Sequence, residues 1–578
     1  MTVVTARAER GSRVVSSRTT EPEAPEGATG PSTDGSTASF DVVVVGSGGA
    51  GLVAACAAAD LGLSVVVLEA SPQLGGTTAL SGGQMWVPCN APMARAGRED
   101  SAEHAMTYLR RVTCGSTSTE RLASFIEDGP KFIDYLEGEL GLPLMSIDRP
   151  DYHPDWGGAA IGRSVEPLPA PTAEIPSWRD RIRVSPVRGP VTGPESRSGL
   201  AAEELRRREV SDVRTQGAGL VAGLVRAALN RGVRLEVGAK VVSAARPEHG
   251  RFVLTVDTHG RQENLTADRL VIAAGGFARN ETFRRDFLPL VDIVPTCAPG
   301  STGDSLRLGL ALGGRLHGMS EAWWTPAVAI PGESFDGEPF YRNVVRELAY
   351  PGSVLVNASG QRFVDEASSY NDLGKAFFAF DPRSHAFPNE KAWLVFDSRF
   401  KATRAVAGAR PDERPEWLLQ AQDLDSLAVR AGIDPAGLSA TLSAFNGAAA
   451  KGTDPEFGRG NNPHDRYNGD TDHGPNPCLA PLTEPPFFAV PIRIGANGTK
   501  GGLAVDSRSR VLGMDGEPVD GLFAVGEAAA ALMGPGYAGS GAALGPSLTA
   551  AWSLTKNLHN IRPATRSGAN PLATVPHR

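Results

Sequence analysis

Apolar positions along this chain fall into short unbroken runs, not into alternation. The first is Val42-Val43-Val44-Val45, inside Asp41–Gly51, which reads DVVVVGSGGAG. Four β-branched residues in a row are too few for a helix and too uniformly apolar for a half-exposed strand, so they predict a strand buried on both faces of a parallel sheet. The alanine-rich stretch that follows predicts a helix, and Leu63–Leu68 predicts a second buried strand. Runs of the same kind recur far downstream at Asp268–Gly276 and Gly521–Glu527. Between them the pattern predicts a helix over Ala218–Asn230 and a hairpin-like stretch over Arg234–Val256. From about Pro295 to Phe488 the character changes to tryptophan-, proline- and tyrosine-rich loops with a helix over Leu424–Asn446. The earlier signals return near Ala489 and end in an apolar helix over Pro546–Leu558. The expected architecture is a parallel α/β domain in two pieces, 39–294 and 489–560, interrupted by an α+β substrate-binding domain at 295–488, with an extension at 1–38 and a tail at 561–578.

The first strand–helix–strand unit also carries chemistry. Gly46, Gly48 and Gly51, spaced by Ser47, Gly49 and Ala50, permit a tight turn, close approach of a pyrophosphate and packing of the helix on the strand. The helix start then offers free N–H groups and a positive dipole end to the phosphates. Glu69 and Ala70 end the second strand about twenty residues later, where a carboxylate accepts hydrogen bonds from a ribose with a free 2′-hydroxyl. Together these make a Rossmann-like unit. The small-residue loop Gly75-Gly76-Thr77-Thr78 with Ser81-Gly82-Gly83 points to FAD, not NAD, because it lets backbone wrap the pyrophosphate and reach the isoalloxazine. No second strand-linked glycine motif suggests a separate NAD(P)H site, and no histidine in Gly75–Gly83 offers a covalent attachment, so the FAD is expected to be non-covalent.

Composition narrows the class. A chain of 578 residues suits two domains, and no apolar run approaches the ~18–20 residues of a membrane span, so stable membrane insertion is not expected. A net charge of -8 argues against nucleic acid, which calls for a clustered positive field. The five cysteines lack metal-ligand spacing; they read as reduced thiols of a cytoplasmic protein, with Cys56 a core residue, and no metal site is assigned. The first thirty-eight residues have no apolar signal core and read as a disordered extension or an over-extended start.

These spread segments resemble the FAD-binding half of the fumarate reductase and ketosteroid dehydrogenase superfamily, giving a fumarate reductase flavoprotein-like fold. The resemblance adds Val241, Ala274, Gly275, Gly526, Glu527 and Leu544 to the expected cofactor contacts. In fumarate reductases a histidine and an arginine near the flavin clamp a dicarboxylate. Here Asn497–Gly502 has no histidine and Gly534–Thr549 has no charged residue at all, so an uncharged substrate is expected.

GTKGGLAVD followed by GLFAVGEAAAALMGPGYAGSG is similar to the C-terminal signature of 3-ketosteroid Δ1-dehydrogenases. Asp151-Tyr152-His153-Pro154, Val356-Asn357, Arg362-Phe363 and Glu366–Tyr370 match in order, so the resemblance spans about Asp41–Leu558. It departs at Ser540, where the family usually has proline, and at Glu527, where many members have asparagine; the proline-rich stretch Pro167–Pro194 has no assignment. The resemblance implies that the Tyr537 hydroxyl and the Gly541 N–H bind a ring ketone, and that Tyr370 removes the α-proton. It further implies that Tyr152 is hydrogen-bonded to Tyr370 and lowers its pKa. A steroid or other hydrophobic ketone is the implied substrate and a quinone or similar acceptor the implied partner. Alternative activities are a 3-oxo-5α-steroid 4-dehydrogenase, a non-steroidal cyclic enone dehydrogenase, and a fumarate reductase-type alkene reductase. Taken singly, each tyrosine is equally at home as a half-buried core residue. Lys500 reads as a partner of backbone or flavin surroundings, and Arg163 and Glu166 as parts of a solvated loop.

Overall fold

The structure is a computed structural model and describes residues 38–247 and 250–558. The expected extension, Ala38 apart, and the expected tail lie outside the described residues. The valine run forms strand β1 (Ala38–Val45), followed by helix α1 (Gly49–Asp60) and strand β2 (Val65–Glu69). β1 is parallel to β2 on one side and to Arg261–Ile272 on the other, so that Val43 stands between Val66 and Leu270. The sheet runs Arg510–Leu512, Pro518–Ala524, Arg261–Ile272, β1, β2, Arg234–Val237. All four valines of β1 are at most 5% exposed, as expected for strands covered on both faces. α1, Gln216–Asn230 and the terminal helix Leu544–Ser553 cover one face, with Cys56 fully buried among them.

A second sheet combines strands of the section expected to be inserted with a central strand that lies mostly after it. Its order is Glu338–Asn343, Ala322–Phe335, Phe487–Thr499, Ala392–Phe396, Ser353–Asn357. The long strand Phe487–Thr499 is its centre, so the return expected at 489 falls inside this strand.

Three sequence expectations change here. Arg234–Val237 pairs with β2, and the hairpin is Ala239–Ala245 with Phe252–Thr258. The helix expected over Leu424–Asn446 is two, Leu424–Ala431 and Pro435–Ala449, because Gly432 takes a left-handed conformation and Pro435 starts the next helix. Arg163 and Glu166, expected in a solvated loop, are fully buried. Arg163 donates to Asp100 at 2.6 and 2.8 Å and to Asp151 at 2.8 Å, while Glu166 accepts from Gln84 at 2.8 Å and from the Gly193 N–H at 2.7 Å. The reason is local: both sit on the strand Ser164–Pro167 or beside it, paired with Met85–Trp86 and Leu144–Ser146 beneath the tyrosine-bearing loops. No described helix is long and apolar enough to cross a membrane.

Candidate active site

A cavity of about 1640 Å³ extends from the β1–α1 turn to the second sheet. Of the cofactor contacts expected from the sequence, all line it except Gly51 and, in the small-residue loop, Gly75. Gly51 lies beneath, where a Cβ would come within 2.1 Å of the Gly46 carbonyl oxygen. Gly46 itself has φ +105°, and a Cβ there would meet the Ala273 carbonyl oxygen at 2.5 Å, so the turn requires glycine twice over. Gly48 and Gly82 differ. Their Cβ positions have nothing nearer than 3.9 Å, and they leave a smooth floor that a pyrophosphate can approach. α1 begins with neither a side-chain cap nor an acidic residue, which keeps its end favourable to phosphate.

Glu69 is held in place by Ser47, whose N–H and hydroxyl donate to it at 3.0 and 2.7 Å, and by the Ser71 N–H at 2.8 Å. Glu527 sits at the far end of the cradle, facing the backbone N–H groups of Thr499 and Gly276, and burial pushes its carboxyl up to about 8. Gly498 is small because a Cβ there would overlap this carboxyl group. The shape, the helix end and the oriented carboxylate fit an adenine dinucleotide carrying a flavin.

The opposite end of the cavity is aromatic. Tyr152, Tyr370 and Tyr537 all line it, with ring centres 5.6, 5.3 and 5.5 Å apart in pairs, nearly an equilateral triangle. Three separate segments supply them. The Tyr152 loop is tied down by the Tyr152 N–H to the Ala538 carbonyl (3.0 Å) and by Asp151, which accepts from Trp86 (2.7 Å) and Arg163. Tyr370 is the first residue of the helix Tyr370–Ala376. Tyr537 lies in the loop before Leu544–Ser553 and contacts Trp323, ring centres 5.0 Å apart. Gly541 has φ +91°, and a Cβ would press on the Gln84 backbone at 2.4 Å. Gly541 lines the same end of the cavity, and its backbone N–H offsets part of the rise that burial imposes on the Tyr537 hydroxyl.

Lys500 locks two of these segments together. Its ammonium donates to Asn371 (2.9 Å), to the carbonyls of Pro535 (3.1 Å) and Gly536 (2.8 Å), and lies 4.7 Å from the Trp323 ring. The expected backbone pairing is what the structure has, and burial lowers this amine to about 7.

One electrostatic expectation changes. Tyr152 does not lower the pKa of Tyr370: burial raises Tyr370 well above the ordinary tyrosine value, and Tyr152 and Tyr537 add to the rise. The Tyr152 hydroxyl has no hydrogen-bond partner of ordinary geometry. Burial likewise raises Tyr537, which favours its neutral, proton-bearing form.

Sequence reasoning missed the arginines of this cavity. Arg149, Arg188 and Arg346 all line it, yet they come from segments remote from the charge-free loop that was used to judge the site. The available signals were weak: Arg149 is three residues before Tyr152, and Ser540 replaces the usual proline.

The parallel sheet, glycine turn, oriented acid and the cavity reaching from that turn to the second sheet define a flavoprotein oxidoreductase with the fumarate reductase type of fold. The chain belongs to the FAD-binding domain family, which matches residues 41–544, and within it to the relatives of the 3-ketosteroid Δ1-dehydrogenases. It is 38% identical over 525 residues to 4-oxocyclohexanecarboxylate 2-dehydrogenase of Sinomonas cyclohexanicum, covering 88% of this chain and 91% of that protein. It is 32% identical over 550 residues to 3-oxosteroid 1-dehydrogenase of Mycobacterium tuberculosis, covering 88% and 96%. The crystal structure of 3-ketosteroid Δ1-dehydrogenase from Sterolibacterium denitrificans in complex with 1,4-androstadiene-3,17-dione superposes with a TM-score of 0.84 at 32% identity, covering 90% of this chain and 100% of the other. The chain binds FAD and is an FAD-dependent oxidoreductase that dehydrogenates CH–CH bonds beside a ketone.

Proposed function

We propose that this enzyme introduces a carbon–carbon double bond α,β to the ketone of a cyclic substrate, with Tyr537 and Gly541 holding the ketone oxygen and Tyr370 taking the α-proton. The observation that carries this reading is the triangle of tyrosines closed around one end of the cofactor cavity, with Gly541 lining the same end. Tyr537 keeps its proton and donates it as a hydrogen bond to the ketone oxygen; the Gly541 N–H is the second donor. Two fixed donors stabilise the enolate as it forms and acidify the neighbouring C–H. Tyr370 accepts that proton at its phenolic oxygen, and Tyr152, packed against both other rings, fixes their mutual position. Bound FAD supplies a two-electron oxidant that accepts the hydride lost from the β-carbon.

Because burial holds the proton on Tyr370, its base form grows with pH, and turnover rises with pH across the alkaline range. Reoxidation falls to an external acceptor of the quinone class, in keeping with a single dinucleotide motif in the chain. The 3-oxosteroid and oxocyclohexane ring systems of the relatives share the ketone and the adjacent CH–CH pair, and the tyrosine end addresses that shared part.

The test is anaerobic mixing of the FAD-loaded protein with androst-4-ene-3,17-dione and, separately, with 4-oxocyclohexanecarboxylate. Bleaching of the yellow flavin band with a product lighter by two hydrogens is the expected result for at least one. No bleaching with either would overturn the reading.

A further inference from the structure

Arg149 raises a question that ketone chemistry leaves unanswered. It lines the cavity and forms no ion pair among the described residues. Its two terminal nitrogens donate to neutral oxygens, Ser540 Oγ at 3.2 Å and Asn468 Oδ1 at 3.1 Å, and its Nε is buried with no partner. The rings of Tyr152 and Tyr467 each stand 5.2 Å from its Cζ. These contacts orient the guanidinium and leave its charge uncompensated.

The neighbourhood strengthens the imbalance. Arg188 and Arg346 line the same cavity, and like Arg149 neither has an ion-pair partner among the described residues. Arg188 donates to the neutral side chain of Gln216 at 2.7 Å. Arg197 stacks on the far member of the pair, 4.1 Å from the Tyr467 ring, and donates to the Tyr467 carbonyl. The acids nearest this group do little to balance it: Glu166 is engaged by Gln84 and Gly193, and burial raises both Glu166 and Glu347, the latter to about 7.

The chain shows elsewhere how it treats an arginine with a purely structural task. Fourteen residues after Arg149, the fully buried Arg163 is met by two aspartates. A half-buried guanidinium beside a cavity, oriented by neutral groups and left without a counter-charge, is arranged for an anion that arrives with a ligand.

Resting on the proposed cyclic ketone dehydrogenation, we infer that the substrate is a cyclic ketone bearing a carboxylate, which Arg149 receives beside the tyrosine triangle. The spacing limits its size. Arg149 Cζ is 5.2 Å from the Tyr152 ring centre, which is 5.3 Å from that of Tyr537, so the two distances together set the upper limit on the span from the guanidinium to the Tyr537 ring, a span that a substrate of one small ring can bridge. A planar, two-pronged guanidinium matches a carboxylate in shape. Ser540 is the residue that makes this possible: its hydroxyl gives its proton to Gln84 and its lone pair to Arg149, which a proline at this position cannot do. The expectation of an uncharged substrate rested on Asn497–Gly502 and Gly534–Thr549, whereas the arginine comes from 391 residues before Ser540.

Binding and reaction are tested separately, on the full-length FAD-loaded protein. Cyclohexanecarboxylate and cyclohexanecarboxamide cannot react, and their binding is followed by calorimetry in wild type, Arg149→Met and Ser540→Pro. The acid is expected to bind wild type roughly ten- to a hundredfold more tightly than the amide, the range for a charge-assisted hydrogen-bonded pair. Arg149→Met abolishes this preference and Ser540→Pro reduces it, each with FAD content at the wild-type level. Equal affinity for acid and amide, or a preference retained in Arg149→Met, would overturn the inference; if Arg149→Met fails to retain FAD, the Ser540→Pro result decides. Selective binding of the acid with bleaching by neither 4-oxocyclohexanecarboxylate nor androst-4-ene-3,17-dione would leave the anion site standing and sink the dehydrogenation reading. Equal bleaching by that acid and its methyl ester would do the reverse.

Discussion

The two ends of the cavity are built on opposite principles. The phosphate-binding part of the cofactor end, the β1–α1 turn with Gly75–Gly83, is made of backbone and small side chains close together in sequence, with Glu69 as its oriented carboxylate. The tyrosine end is made of large side chains from segments far apart, held by a buried scaffold that includes Arg163, Asp151 and Lys500. A phosphate-binding turn needs only a chain path and free N–H groups, so consecutive residues suffice. A site that must hold a ketone and remove a proton needs several polar groups converging on one small volume, and only tertiary structure brings them there.

Damage to the two ends should therefore read out differently. Arg163→Met leaves Asp100 and Asp151 buried without their counter-charge and should destabilise the protein by about 3–5 kcal/mol, measured by denaturant unfolding. Arg149→Met, which strands no carboxylate, should leave that midpoint nearly unchanged, and equal losses in the two variants would erase the distinction between paired and uncompensated arginine. Glu69→Ala should weaken FAD retention by roughly ten- to a hundredfold, the worth of charged hydrogen bonds to the cofactor, read from flavin content after dialysis. Wild-type flavin content in that variant would refute the ribose assignment.

The smallest effect concerns Glu527. Its folded pKa, about 8, lies above the unfolded value of ~4.3, so the folded state holds a proton that the unfolded chain has released. The contribution to stability is thus greatest below the unfolded value and is lost as pH rises towards 8. Thermal unfolding of the wild type should fall between about pH 5 and about pH 9, and Glu527→Gln should flatten that slope. An unchanged slope would mean that Glu527 ionises freely.

The same contrast explains what the sequence could disclose. The β1–α1 turn was legible because its glycines, valines and Glu69 lie within one local unit whose physics is fixed by spacing. The tyrosines were legible only through the resemblance, since nothing in the spacing of Tyr152, Tyr370 and Tyr537 requires them to meet. Arg163 and Glu166 were misplaced because a charged residue in an irregular stretch gives no local sign of burial; their partners Asp100 and Gln84 are 63 and 82 residues away. The helix expected over Leu424–Asn446 kept its apolar pattern across Gly432, and pattern alone outweighed the break. The direction of the Tyr370 shift was misjudged for a related reason, because a neighbouring hydroxyl cannot offset the cost of placing a phenolate among three packed aromatic rings.

The most direct measurement is the rate of anaerobic flavin reduction in Tyr370→Phe, with FAD content and ketone binding measured alongside. Loss of about 10²–10⁴-fold in rate, with FAD content at the wild-type level and binding nearly intact, is the result predicted for a general base at the tyrosine end. Reduction at the wild-type rate would contradict the role assigned to Tyr370, and with it the chemistry proposed for this end of the cavity.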